Sequence, residues 1–68
     1  MITEIGIVAG EIWHYLDGHG ETLFPELVKG IERPKDLALM SLGWLAREGH
    51  VIVREDKSKL RVALRQSS

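Results

Sequence analysis

At Gly49 the spacing of the apolar residues changes from that of a helix to that of a strand, and this switch narrows the folds open to the chain. Upstream of it, apolar side chains recur three and four residues apart, the separation that gathers them on one face of a helix. Downstream, Val51-Ile52-Val53-Arg54 and Leu60-Arg61-Val62-Ala63-Leu64 are rich in β-branched residues and read as two strands. The polar run Glu55-Asp56-Lys57-Ser58-Lys59 between them predicts a hairpin loop. Helices come first, then a hairpin.

Glycine and proline divide the helical part into three. Thr3 is placed to cap a first helix running to about Leu16, its hydroxyl accepting from an unpaired backbone N–H, with Ile2 and Ile7 as a hydrophobic staple. Ile5, Val8, Ala9, Ile12 and Leu16 form its core stripe. Asp17-Gly18-His19-Gly20 ends that helix, with Gly18 suited to the left-handed turn. Thr22-Leu23-Phe24 reads as short and extended. Pro25 then opens a second helix to Lys29, because the N–H proline lacks is unpaired in the first turn anyway. Gly30-Ile31-Glu32-Arg33 is a tight turn, and Pro34 opens a third helix ending at Glu48 and Gly49. At 100° per residue, Ala38, Ser41, Leu42 and Leu45 share its inner face. Ser41 is expected to bond back to a carbonyl one turn earlier.

Helix, short helix, turn, helix, hairpin is the order of a winged helix-turn-helix: an α+β fold, mainly α, of three helices plus a C-terminal β-hairpin wing. Thr22-Leu23-Phe24 would supply a third short strand. Ile5-Gly6, then Ala9-Gly10-x-Ile12-Trp13-x-x-Leu16, then Leu42-Gly43-Trp44-Leu45-Ala46-Arg47-Glu48-Gly49 resemble a family of small prokaryotic winged helix-turn-helix proteins of uncharacterised function. The similarity spans nearly the whole chain. It implies the fold and a homodimer, and it assigns no ligand.

The 68 residues suffice for one domain, expected over residues 1–65 with 66–68 as a flexible tail. A chain this short buries only about 60% of its unfolded surface, so small scaffolds usually carry a staple. Cysteine is absent, and His14, His19 and His50 have no second ligand set at zinc spacing, so no metal and no cofactor is expected. Self-association is the remaining staple. No apolar run approaches the roughly 20 residues that span a bilayer. No signal peptide is visible either, and the expected location is the cytoplasm.

An enzyme is not expected. Ser41 faces inward, His14 faces solvent, and Asp17 and His19 flank a glycine in a turn, where both are ordinary turn residues. Gly18-His19-Gly20 lacks the Lys-Ser/Thr of a phosphate loop. So short a chain also leaves little room for a pocket of about 300 Å³.

Binding partners divide on charge and apolarity. The net charge of −1 hides an asymmetry: residues 1–49 carry four Lys/Arg against eight Asp/Glu, residues 50–68 five against two. The nucleic-acid candidates are Lys35 and Arg47 on helix three with Arg54, Lys57, Lys59 and Arg61 on the wing, where phosphate contact needs only positive charge within reach. The outward face of helix three, however, is Asp36, Met40, Gly43 and Arg47, a poor set for reading bases, which favours Arg, Lys, Asn and Gln. Charged wing residues also serve simply to block edge-to-edge pairing. The same helix shows Leu37, Met40 and Trp44 off its core stripe, and helix one shows Gly6, Gly10 and Trp13. Two glycines four apart let another backbone approach closely, and surplus Trp and Met mark interfaces. The leading expectation is a homodimerising protein-interaction module whose interface uses Gly6, Gly10, Trp13, Leu37, Met40 and Trp44. The alternative is a DNA-binding regulator that contacts phosphates through its basic wing.

Overall fold

A computed structural model describes residues 2–65; the expected tail, residues 66–68, lies outside the described residues. Helix α1 spans Ile2–His19, strand β1 Thr22–Leu23, helix α2 Phe24–Ile31, helix α3 Lys35–Arg47, strand β2 Val51–Asp56 and strand β3 Lys59–Leu64. The sheet is antiparallel in the order β1-β3-β2, with Thr22 opposite Val62 and Val53 opposite that same residue from the other side. Three helices and a small sheet with a hairpin wing make a winged helix-turn-helix.

Each element gives one apolar face to a shared core. Val8, Ala9, Ile12 and Leu16 come from α1, Phe24 and Leu27 from α2, Ala38, Leu42 and Leu45 from α3, and Val51 and Val62 from the sheet. Ala38, Ser41, Leu42 and Leu45 are the buried residues of α3, the stripe that helical spacing predicts. On α1 the expected stripe is buried except Ile5, which is half-buried.

Helix ends depart from expectation: α1 and α2 run longer, and α3 is one residue shorter at each end. Thr3 does not cap α1: the helix begins at Ile2, so Thr3 lies within its first turn. The staple fails for the same reason, since Ile2 is already helical, and Ile2 and Ile7 are 87% and 54% exposed. At the other end α1 continues through Gly18. The Nδ1–H of His19 donates to the Tyr15 carbonyl at 2.9 Å while its ring stacks on Tyr15 at 3.9 Å, holding the extra turn. Gly20, at φ +77°, makes the left-handed exit expected of Gly18. Phe24 opens α2 instead of extending β1. The helix runs past Gly30 to Ile31, and Glu32 takes the left-handed position at φ 55° and donates its N–H to the Val28 carbonyl. Pro34 is the residue before α3 instead of its first turn. In the wing the strands reach Asp56 and Lys59, so the expected five-residue loop shrinks to Lys57-Ser58.

Ser41 corrects another expectation. Its side chain is fully buried, and Oγ has no hydrogen-bond partner, so the expected bond to a carbonyl one turn earlier is not made.

Candidate functional site

Helices α1 and α3 pack against each other so that their buried stripes face inward and their flanks form a shallow apolar groove. Ala9 and Leu45 are its buried floor. Gly6, Gly10 and Trp13 line it from α1, Trp44 lines it from α3, and His50 lies at its edge, enclosing about 290 Å³. A second hollow of about 410 Å³ shares Gly6 and Trp44 and is completed by Ile2 and Ile5. Together they make one continuous apolar face. Trp13 is 38% and Trp44 48% exposed, so each indole is half out of the domain. Nothing lies within 4 Å of where a Cβ on Gly6 or Gly10 would sit, so neither glycine is required by packing inside the domain.

The six interface candidates thus split. Gly6, Gly10, Trp13 and Trp44 are brought to one face. Met40 is also exposed, one helical turn before Trp44. Leu37 is drawn inward and packs against the core. Ile2, Ile5, Ala9 and Leu45 belong to the same face but are missing from the sequence-based set. Their apolarity was visible, but their partners across the helix pair were not.

The cationic candidates split as well. Arg54 donates to Glu21 at 2.6 Å, and Arg61 to Asp56 at 3.3 Å, so two of the four wing cations already face a carboxylate. The Arg54 guanidinium is held further toward its charged form by that hydrogen bond to Glu21. Lys35, Arg47, Lys57 and Lys59 are exposed and make no ion pair among the described residues. A third pair, Arg33 with Glu11, ties the α2–α3 connection to α1 through two hydrogen bonds of 2.8 and 2.7 Å.

His19 is engaged with Tyr15, His14 meets Trp13 edge-on at 5.5 Å, and among the described residues no cluster of His, Asp and Glu could hold a metal ion. Nor, among those residues, is any helix long and apolar enough to cross a membrane.

A sheet-backed helix-turn-helix with a hairpin wing and an apolar helical flank defines a winged helix-turn-helix domain. The chain belongs to the family described as "Winged helix-turn-helix domain (DUF2582)", whose model matches residues 1–64. It is 34% identical over 65 residues to the uncharacterized protein MJ1608 of Methanocaldococcus jannaschii, covering 91% of each chain. The solution NMR structure of protein BT2368 from Bacteroides thetaiotaomicron superposes with a TM-score of 0.81 at 26% identity, over 91% of this chain and 76% of that one.

Proposed function

We propose that the domain is a protein-interaction module that pairs with a second copy of itself through the α1/α3 face. The observation that carries this reading is that Trp13 and Trp44 are half-exposed on either side of a groove lined by two glycines with open space above them. Knob and hollow lie on one surface, which is what a two-fold interface needs: the indole of one copy can fill the space over Gly6 and Gly10 of the other. Fully burying a large apolar side chain is worth about 1.5–3 kcal/mol, and covering the exposed half of an indole about half of that, a useful addition for a small domain that has no cysteine to cross-link. Leu37 takes no direct part, since it packs within its own domain. Light scattering during size-exclusion chromatography tests the reading. A dimer should be seen and should weaken on Trp44→Ala and Met40→Ala; a clean 7.7 kDa monomer at high concentration rules it out.

The exposed, unpaired Lys35, Arg47, Lys57 and Lys59 support a second reading, in which the domain contacts DNA phosphates. The pairing of Arg54 and Arg61 with carboxylates weighs against it. Titration with labelled duplex DNA separates the two. The DNA reading requires binding that falls steeply with salt and with Lys57→Ala and Lys59→Ala, and it fails if no duplex binds at low salt.

A further inference from the structure

On a different face, a groove of about 550 Å³ runs between α2, the start of α3 and the tip of the wing. Phe24, Pro25 and Val28 line it from α2, Leu39 from α3 and Leu60 from β3, so its surface is mainly apolar. Leu39 is 47% exposed there. Two lysines rim the groove, Lys35 on the α3 side, one turn before Leu39, and Lys59 on the wing side. Among the described residues neither makes an ion pair and no carboxylate lines the groove, although the chain as a whole carries more acidic than basic groups.

We infer that this groove docks an acidic, apolar peptide segment of a partner protein, its apolar side chains against Phe24, Val28, Leu39 and Leu60 and its carboxylates between Lys35 and Lys59. The charge on the rim and the apolar floor select the occupant together. A phosphate backbone would use the two lysines but gain nothing from five apolar lining residues. A small amphiphilic acid would suit the chemistry, yet the groove is about half open to solvent, whereas small-molecule sites usually bury about 70–90% of their ligand. A chain segment of roughly eight residues, about 26 Å when extended, can cross such an open groove on a domain 29 Å in its longest dimension. This site is separate from the Trp13/Trp44 face and does not depend on the self-association proposed for it.

The test is an array of short peptides alternating Glu or Asp with Leu, Ile or Phe, matched to a second array with Lys in place of each acid. The tightest binder is then titrated into the isotopically labelled domain and followed by NMR. Acidic peptides should be retained over basic ones, and shifts should centre on Val28, Lys35, Leu39, Lys59 and Leu60. The Lys35→Glu/Lys59→Glu variant, folded by circular dichroism, should bind about tenfold or more weakly, the sum expected of two reversed charge contacts. The inference is overturned if no acidic peptide binds, if both arrays bind alike, or if the double variant binds as the parent does. It is also overturned if shifts centre on Trp13 and Trp44, or if duplex DNA or decanoate perturbs the groove at lower concentration than any peptide.

Discussion

The ring of Tyr15 on α1 occupies the space that a side chain on Gly30 of α2 would need: its Cζ lies 2.8 Å, and its hydroxyl oxygen 3.0 Å, from where a Cβ would be. Gly30 is therefore a point of close approach between two helices, not a helix terminator. The ring is further held by its stack on His19.

Two effects compete at Gly30. In an unobstructed helix alanine is better than glycine by about 1 kcal/mol, but forcing a methyl group into packed space costs about 1–3 kcal/mol. The stacked, half-buried ring gives way poorly, so Gly30→Ala should lower stability by about 1 kcal/mol net. In a Tyr15→Ala background the obstruction is gone, and the same change should raise stability. Urea midpoints of the four proteins measure both signs.

Glu11 and Arg33 give the domain an acid-sensitive clasp. The hydrogen bond from Arg33 holds the Glu11 carboxyl below its ordinary value of 4.5, against a smaller opposing effect of desolvation. A carboxyl whose folded value is depressed stabilises the fold above its unfolded value, and that contribution is lost as pH falls through the folded one. Arg33, held further toward its charged form by Glu11, stays protonated throughout and adds no slope. Both side chains are more than one-third exposed, so the effect is modest. Melting temperature should fall more steeply below about pH 4.5 in the parent than in Glu11→Gln. Equal acid slopes would mean that the pair contributes nothing in solution.

Ser41 places a hydroxyl without a partner at the heart of the α3 stripe. A buried donor left unpaired costs about 1–3 kcal/mol, and alanine removes it with little change of volume. Ser41→Ala should therefore raise the urea midpoint, by an amount equivalent to about 1 kcal/mol. A fall would show that the hydroxyl is satisfied in solution.

The wing turn is built from two residues that resist its geometry. Lys57 and Ser58 both have positive φ, at 51° and 67°, which is the form of two-residue turn that favours asparagine followed by glycine. Holding a side-chain-bearing residue in that region costs roughly 1–2 kcal/mol. Combining Lys57→Asn with Ser58→Gly should therefore stabilise the domain by about 1 kcal/mol. Thermal melts read this directly, and an unchanged or lower midpoint argues against such a turn.

Helical spacing alone located the α3 core, because the angle between residues is local and Ala38, Ser41, Leu42 and Leu45 need no other element to share a face. The change of period at Gly49 located the hairpin for the same reason. Helix ends were less legible. Thr3, Gly18 and Gly30 look like boundaries, but the helices run through all three.

The fold family, the order of the elements and the residues that must face inward were therefore set by local pattern, since periodicity and turn chemistry act over a few residues. Tertiary structure decided what becomes of the surplus. Leu37 and Trp44 lie seven apart along one flank of α3, yet Leu37 packs against the core and Trp44 borders an open groove, according to what lies opposite each. Arg54 and Arg61 read as free wing cations until the folded chain brings Glu21 and Asp56 beside them. Coulomb and packing forces act across space, and only the closed fold sets those distances.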